Sequence, residues 1–283
     1  MILKTYLVTG SEGFIGNSVR ERIISTGDFA ICIERDFVLK NDLWKKSLSD
    51  LFASCRFDGV FHIGACSDTM SKNVNEMMLL NYEFTREIAD LCKDNDVKLV
   101  FSSSAACYGS KDLPQNLYAW SKYCAENYLV SIGKGVNLRY FNVFGPGEHN
   151  KGRMASVAHQ AFVSVFINKE IDKMTLFPGN PKRDFVHICD VVEANIHAMS
   201  NINEGTVWDV GSGTPISFET VMDIFGISYS YYGQEAIPEG YQFYTCSDKK
   251  RWMPGWKPKD EIKSRFKSYK DHLSKKHNII KKK

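Results

Sequence analysis

No stretch of the sequence is apolar for long enough to cross a membrane, and the N-terminus lacks the pattern of a secretory signal peptide. Paired cysteines are also lacking, because the eight cysteines are scattered, none forms a C-x-x-C pair, and no histidine cluster adds metal-ligand spacing. These absences predict a cytoplasmic protein that spans no membrane and holds no metal. Its cysteines are then expected to be mostly small buried hydrophobic residues in a reducing compartment.

A large excess of charge is missing as well. The formal net charge is +3, and much of the excess lies in the last nine residues, 275–283. No basic, aromatic-rich surface accompanies that tail, so we expect it to be a solvated end and predict no nucleic-acid partner. With 283 residues, 43% of them hydrophobic and 24% charged, the chain can form one large globular domain or two lobes.

A glycine-rich segment lies near the start of the chain. A short apolar strand at residues 5–8 leads into TGSEGFIG, a helical pattern follows to about residue 27, and a second apolar run ends at Glu34. Glycines three residues apart allow a tight turn and let backbone N–H groups at a helix start approach a diphosphate, as in dinucleotide-binding β-α-β units. The candidate cofactor-binding residues in this segment are Gly10, Gly13, Phe14, Ile15 and Gly16.

The end of the second strand bears on the identity of the cofactor. Glu34 follows Gly10 by 24 residues, where an acid would bind the hydroxyls of an adenosine ribose. A carboxylate would repel a 2′-phosphate and favours NAD, whereas Arg35 could pair with that phosphate and favours NADP. The residues leave both cofactors open. Asp42 is a candidate contact for adenine and equally a candidate for a solvated loop acid.

Strands and helices alternate through residue 141. We expect a short third strand in residues 36–42, a helix in 43–55, and a long helix in about 74–95. The apolar run that begins at residue 59 ends in small residues that would let the backbone pass close to a cofactor. The alternation predicts an α/β fold with a doubly wound parallel (Rossmann) sheet and ligands at the carboxyl ends of its strands. This region adds five candidate cofactor contacts: Gly64, Ala65, Cys66, Ser67 and Asn81.

The chemistry is predicted from residues 99–122, LVFSSSAACYGSKDLPQNLYAWSK. Tyr118 and Lys122 are four residues apart in a predicted helix, so they project from the same face. A nearby ammonium favours the phenolate and is expected to lower a tyrosine pKa that is ordinarily about 10. Ser104 ends the preceding strand and can hydrogen-bond the same substrate oxygen. This trio can take a proton from an alcohol while a hydride leaves the same carbon.

The pattern changes after NLRYFNVFGPG (residues 137–147), and about the last eighty residues are irregular and rich in aromatic residues, glycine and proline. We expect residues 1–142 to be mainly a dinucleotide-binding domain and residues 143–283 mainly a substrate-binding lobe, with a segment at about 183–212 returning to the first. Three cations of this lobe would suit a diphosphate if the fold brings them together, namely Lys151, Arg153 and Arg183.

Taken together, GxxGxxG, FSSSA, YxxSK, RYFNVFGP and RDFVH resemble the extended short-chain dehydrogenase/reductases that act on nucleotide sugars, over nearly the whole chain. Within that family, HIGACS, FGPGEHNKGRMASVA, LFPGNPKRDFV and GYQFYT are similar to the ADP-glycero-manno-heptose 6-epimerases. The resemblance implies one tightly bound NAD or NADP per subunit, a nucleotide-sugar substrate and a homo-oligomer.

The resemblance also implies roles for individual residues. Tyr118 would be one acid/base, Lys122 its partner and a ligand of the cofactor ribose, and Ser104 would orient the hydroxyl. Lys151 matches the second acid/base of the family. Val143 is a further cofactor contact. The implied sugar-nucleotide contacts are Asn142, Arg153, Gln160, Phe177, Gly179, Asn180, Arg183 and Tyr241, of which Arg153 and Gln160 match by position only.

The expected reaction is epimerisation by transient oxidation of a sugar carbon and return of the hydride to the opposite face. The alternatives are a nucleotide-sugar dehydrogenase, a 4-epimerase, a 4,6-dehydratase and a dinucleotide sensor without catalysis. The dehydratase is disfavoured because Ala105 and Ala106 stand where its Asp-Glu pair would follow the catalytic serine or threonine. The sensor is disfavoured because it would not need Ser104, Tyr118 and Lys122 together.

Overall fold

A computed structural model of the chain describes residues 3–109, 113–238 and 241–279, so the last four residues of the lysine-rich tail lie outside the described ranges. None of the helices in these ranges is long and apolar enough to span a membrane. The strands are β1 Thr5–Thr9, β2 Phe29–Ile33, β3 Gly59–His62, β4 Leu99–Ser104, β5 Val136–Tyr140, β6 Asn142–Phe144, β7 Met174–Leu176, β8 Lys182–Arg183, β9 Phe185–His187, β10 Thr206–Val210, β11 Ile216–Ser217 and β12 Tyr229–Tyr231. The α-helices are α1 Phe14–Ser25, α2 Arg35–Leu39, α3 Trp44–Ser54, α4 Val74–Met78, α5 Phe84–Asp94, α6 Leu117–Ser131, α7 Val157–Phe162, α8 Ile188–Asn201, α9 Phe218–Phe225 and α10 Ile262–Lys276.

The chain divides into two compact units. The first contains the residues up to Tyr140 together with Val191–Val210 and Arg251–Trp256, and the second contains the remaining segments. Nothing in the sequence pattern indicated that Arg251–Trp256 belongs to the first unit. The assignment of the cofactor to one unit and the substrate to the other stays a prediction.

The first unit is built on a six-stranded parallel sheet with the strand order β10-β5-β4-β3-β1-β2, which confirms the predicted fold class. Its central strands are buried on both faces, which is why they read as continuous apolar runs in the sequence. The register pairs Thr9 with His62 and Ser104 with Tyr140, so the carboxyl ends of neighbouring strands meet at one edge of the sheet. The residues that follow β1, β3 and β4 therefore lie at that edge.

The predicted third strand in residues 36–42 is wrong, because α2 occupies this segment. Ten residues separate β2 from α3, and a parallel strand needs a crossover of about a dozen residues or more before it can pair. The segment instead forms one helical turn, in which Val38 is buried and Asp36 pairs with Lys40 at 2.6 Å. The sheet consequently ends at β2, where the Phe29 side chain is 57% exposed.

The predicted long helix of residues 74–95 is confirmed in extent but not in regularity. A π-helical turn, Leu79–Glu83, joins α4 to α5. Such turns insert an extra residue into a helix and are frequent at functional sites. This one contains Asn81, which is fully buried.

The second unit has a core of aromatic side chains. Phe144 stacks on Phe266 with ring centroids 3.9 Å apart, and Phe185 and Phe225 pack against the same ring of Phe266. Phe266 belongs to α10, which also contributes the buried Tyr269. The last helix is therefore part of the core of this unit.

Candidate active site

The predicted glycine turn lies against the turn that follows β3. Gly10 has a φ of +66°, which favours glycine, and its N–H donates to Ile33 O at 2.8 Å. A Cβ atom on Gly10 would lie 2.5 Å from Gly64 Cα, and one on Gly16 would lie 2.0 Å from Gly10 O. Side chains are thus excluded at Gly10 and Gly16, and a Cβ atom on Gly64 would lie only 3.0 Å from Gly10 N. Gly13 directly precedes α1. The N–H groups of Phe14 and Ile15 therefore lie in the first turn of the helix, where N–H groups have no partner within the helix and can bind a diphosphate.

Of the three residues predicted to contact adenosine, the structure brings one to the glycine turn. The Glu34 carboxylate accepts hydrogen bonds from Ser11 Oγ at 2.5 Å and from the Glu12 N–H at 3.2 Å. Arg35 is the first residue of α2, and its guanidinium pairs with Glu76 at 3.1 Å. Asp42 is exposed between α2 and α3. The contacts at Glu34 fit the site and favour NAD, whereas those at Arg35 do not point to a 2′-phosphate.

The turn after β3 is fixed by Asn81. Its Oδ1 accepts from the Cys66 N–H at 2.7 Å, and its Nδ2 donates to Cys66 O at 3.0 Å and to Ser121 Oγ at 2.9 Å. These bonds use the amide of Asn81 within the protein. Asn81 thus holds the turn, and its predicted contact with the cofactor stays a prediction. Ala65 and Ser67, on either side of Cys66, are exposed.

Ser104 and Tyr118 meet as predicted. Asn116 caps α6 by accepting from the Ala119 N–H at 2.8 Å, which places Tyr118 in the first turn of the helix. The Tyr118 hydroxyl lies close enough to Ser104 for that serine to lower the Tyr118 pKa against the effect of burial, and the Ser104 oxygen accepts from the Ala106 N–H at 3.1 Å. A serine at the end of β4 and a phenol at the start of α6 thus lie close together.

Lys122 lies one helical turn after Tyr118 and is buried, with 1% of its surface exposed. Its ammonium lies 4.1 Å from the centroid of the Phe101 ring. Burial lowers the pKa of Lys122 to about 7. Burial also raises the pKa of Tyr118 to about 12, and the nearby Ser104 opposes this rise. The expectation that Lys122 lowers the Tyr118 pKa is wrong for the chain alone, because loss of solvent disfavours both charged forms more than they stabilise each other.

The Lys122 Nζ atom has no hydrogen-bond partner among the described residues. A buried ammonium without an acceptor is costly, so this atom marks a place for a polar ligand. Ribose hydroxyls would supply acceptors to Lys122, and the side-chain-free surface at Gly10, Gly16 and Gly64 would admit a diphosphate close to the backbone. The residues of the first unit therefore fit a nicotinamide dinucleotide. No group of three or more His, Cys, Asp or Glu in the described ranges could hold a metal.

We expect dinucleotide binding to be coupled to protonation of Lys122. The free chain has a Lys122 pKa of about 7, and hydroxyl acceptors stabilise the ammonium and raise that pKa in the complex. Binding should therefore take up no proton well below pH 7 and approach one proton above it, and the affinity should fall as the pH rises through 7. Calorimetric titration of nucleotide-free protein in buffers of different ionisation enthalpy measures this uptake.

The matched control for this experiment is a second buried lysine. Lys134 donates to Val97 O at 3.0 Å and to Glu204 at 2.8 Å, so its ammonium already has acceptors. Lys134→Met should leave the proton uptake unchanged, whereas Lys122→Met should abolish it. Equal uptake above and below pH 7 in the parent protein would contradict the assignment.

In the second unit, Lys151 lies in the 3₁₀ segment Glu148–Met154 and donates to the Val143 carbonyl at 3.3 Å. Burial lowers its pKa against the nearby Glu148 carboxylate. Glu148 is fully buried and accepts from the Ser156 N–H at 2.7 Å and from Ser156 Oγ at 2.9 Å. Burial and the charge of Glu148 raise the pKa of Tyr269 in α10, so these two groups lie close together. The bonds from Ser156 to Glu148 thus join the first residue of the segment that carries Lys151 to a residue just after its end.

Arg153 and Gln160, predicted to bind substrate, lie at the end of the same segment. The Gln160 amide donates to Arg153 O at 3.1 Å and to Ala155 O at 2.6 Å. Both side chains are exposed, as is that of Asn142 on β6. Gln160 thus supports the backbone of this segment, and its predicted contact with substrate stays a prediction.

The remaining substrate candidates form an aromatic group around Arg183. The guanidinium lies 5.3 Å from the Tyr241 ring centroid, and its charge lowers the pKa of that phenol against the larger effect of burial, which raises it. Phe177 packs against Tyr241 at 5.0 Å. A Cβ atom on Gly179, whose φ is +91°, would lie 2.9 Å from the ring of Phe243. Asn180 has a φ of +52°. The structure thus brings together most of these predicted substrate-binding residues. Phe243 lies in the same group, and sequence reasoning missed it.

The NAD dependent epimerase/dehydratase family matches residues 6–211. An ADP-L-glycero-D-manno-heptose-6-epimerase from Brachyspira hyodysenteriae is 33% identical over 95% of this chain and 98% of its own, and one from Cupriavidus pinatubonensis is 31% identical over 77% and 76%. The crystal structure of the Helicobacter pylori ADP-L-glycero-D-manno-heptose-6-epimerase matches with a TM-score of 0.78 at 25% identity, covering 96% of each chain. The chain belongs to the NAD-dependent epimerase/dehydratase family.

Proposed function

We propose that the protein is a nucleotide-sugar epimerase that inverts a carbon of an ADP-heptose. The observation that carries this proposal is the placement of the Ser104 and Tyr118 hydroxyls close together, one helical turn from the buried Lys122 Nζ, which has no hydrogen-bond partner among the described residues. The similarity to two ADP-heptose 6-epimerases, one of them over nearly the full length of both chains, supports the choice of substrate.

A bound nicotinamide dinucleotide supplies a reversible hydride acceptor. In the first unit, Lys122 would hold the ribose hydroxyls, the glycine turn the diphosphate and Glu34 the adenosine ribose. Ser104 would hold the reacting hydroxyl of the sugar, and Tyr118 would take its proton. The charged form of Lys122, which bound ribose would favour, would also lower the cost of the Tyr118 phenolate.

The second unit would supply the second proton-transfer group. Epimerisation requires that the sugar oxygen be protonated again after the carbon has been inverted, and we propose that Lys151 gives this proton. The lowered pKa of Lys151 suits it to exchange a proton nearer neutral pH than an exposed lysine does. Arg183 and Tyr241 would bind the nucleotide diphosphate.

The test combines identification of the cofactor with a substrate screen. Mass spectrometry of the nucleotide released on denaturing the purified protein should find NAD or NADP. Incubation with ADP-, GDP- and UDP-linked sugars, followed by proton NMR, should show inversion of one carbon of an ADP-heptose without net oxidation.

Other outcomes point to different functions. Accumulation of reduced nicotinamide would indicate a dehydrogenase, and inversion at C4 of a UDP-hexose would indicate a 4-epimerase. A dinucleotide that binds while every sugar nucleotide stays unchanged would contradict the proposal. We also propose that the protein assembles as a homo-oligomer, which its mass in solution tests.

A further inference from the structure

His62 is the last residue of β3 and is fully buried. Each of its ring nitrogens lies at hydrogen-bond distance from a threonine hydroxyl. Nδ1 is 2.7 Å from Thr9 Oγ1, at the end of β1, and Nε2 is 2.8 Å from Thr85 Oγ1, in the first turn of α5. The proposed chemistry makes no use of this imidazole.

The direction of each bond follows from counting protons. The Thr85 hydroxyl donates to Asn81 O at 2.9 Å, and a carbonyl oxygen can only accept. A hydroxyl has one proton, so the Thr85 oxygen can only accept from His62. Nε2 must therefore carry the hydrogen.

The Thr9 side gives the same result independently. The Thr9 oxygen accepts from the Ile63 N–H at 3.1 Å and from the Gly64 N–H at 2.9 Å, which fills its two lone pairs. Its own proton is then available only to Nδ1 of His62. The Thr85 count places a hydrogen on Nε2 and the Thr9 count leaves Nδ1 without one, so together they specify a neutral imidazole with its hydrogen on Nε2.

The surroundings of His62 also favour the neutral form. Its ring stacks on that of Phe101 with centroids 5.7 Å apart, and Lys122 Nζ lies over the same Phe101 ring. Burial and the charge of Lys122 lower the pKa of His62 to about 3. The imidazole therefore stays uncharged across the neutral pH range.

The hydrogen bonds continue beyond Asn81. Its side chain holds both backbone groups of Cys66 and donates to Ser121 Oγ, and that hydroxyl donates to Tyr118 O at 2.7 Å. A continuous chain of bonds thus runs from the end of β1, through His62, to the first turn of α6. It fixes both ends of the turn at residues 63–66.

We propose that His62 is a positioning residue, which holds the turn at residues 63–66 and the start of α6 in the arrangement that dinucleotide binding requires. The role of the turn rests on the proposed function. The hydrogen-bond chain itself belongs to the protein without ligand, so it can be measured separately.

Thr85 offers a test that leaves the imidazole in place. Thr85→Val keeps the shape of the side chain but leaves the Nε2–H buried without an acceptor, whereas Thr85→Ser keeps the hydroxyl. We expect Thr85→Val to weaken dinucleotide affinity and to lower kcat by about tenfold each, with the KM for the sugar nucleotide unchanged and Thr85→Ser within about twofold of the parent.

Two further measurements separate positioning from loss of stability. The imidazole ¹⁵N shifts of His62 should show a neutral ring with hydrogen on Nε2 from about pH 5 to about pH 9. Lys134→Met removes buried hydrogen bonds near the amino end of β5, at the opposite edge of the sheet. It should lower the free energy of unfolding without changing dinucleotide affinity.

Three results would overturn the inference. They are parent-like affinity and kcat in Thr85→Val, an imidazolium or a ring with hydrogen on Nδ1 at neutral pH, and an affinity loss in Lys134→Met equal to that in Thr85→Val. A parent protein that binds no dinucleotide would overturn the proposed function and with it the role of the turn, which distinguishes the two failures.

Discussion

Tyr118→Phe should reduce turnover of the sugar nucleotide by about 10²–10⁴-fold, the range that positioned general acid–base catalysis contributes. The phenol is the group that lies close to Ser104, and phenylalanine keeps its ring but cannot exchange a proton. Neither the glycine turn nor Lys122 is altered, so the bound dinucleotide and the unfolding temperature should stay close to those of the parent. Steady-state kinetics and cofactor analysis of the same preparation test both expectations.

A second tyrosine of α6 is the matched control. Tyr128 carries a hydrogen-bonded hydroxyl, 2.5 Å from Asp90. Tyr128→Phe should keep turnover within a few-fold of the parent, since Tyr128 is away from Ser104. Near-full turnover in Tyr118→Phe would remove Tyr118 from the chemistry. A loss in Tyr128→Phe as large as that in Tyr118→Phe would show that any lost hydroxyl of this helix has the same effect.

Lys151→Met should damage epimerisation much more than oxidation. Without Lys151 the sugar oxygen lacks its second proton donor, so net inversion should fall by about 10²–10⁴-fold. Tyr118 is still able to take the first proton, so single-turnover oxidation of the sugar should fall far less. Proton NMR of the product measures inversion, and the absorbance of reduced nicotinamide measures oxidation.

An exposed lysine of the second unit controls for loss of charge. Lys173→Met should leave both measurements unchanged. Equal losses of inversion and oxidation in Lys151→Met would indicate a binding defect and contradict a second proton-transfer role. No loss in either would exclude Lys151 from the reaction.

The parts of the site that could be predicted depend on local spacing. Tyr118 and Lys122 share a helix face because they are four residues apart, and Ser104 ends a strand whose apolar run is visible in the sequence. The glycine turn could be predicted from its own residues together with the strand and the helix on either side of it. The order of strands and helices then predicted the parallel sheet and the edge at which these residues lie.

The parts that could not be predicted depend on distant partners and on burial. Thr9 faces His62 only because β1 and β3 pair in one register, and no pattern in either strand indicates this. The predicted effect of Lys122 on Tyr118 failed because burial, which spacing does not reveal, dominates both pKa values. The third strand failed because the length available after β2, and not its composition, decides whether the chain can return to the sheet.

The closeness of Glu148 to Tyr269 links the segment that carries Lys151 to α10, the last helix of the described chain. Removing the chain from Tyr269 onward would leave every residue of the proposed chemistry in place. It would also remove the Tyr269 side chain, which lies close to the fully buried carboxylate of Glu148. The segment Glu148–Met154, which carries Lys151, would then lose one of the contacts that hold it in place. Because Tyr269 and Leu273 also belong to the aromatic core, such a deletion should lower activity and the free energy of unfolding together.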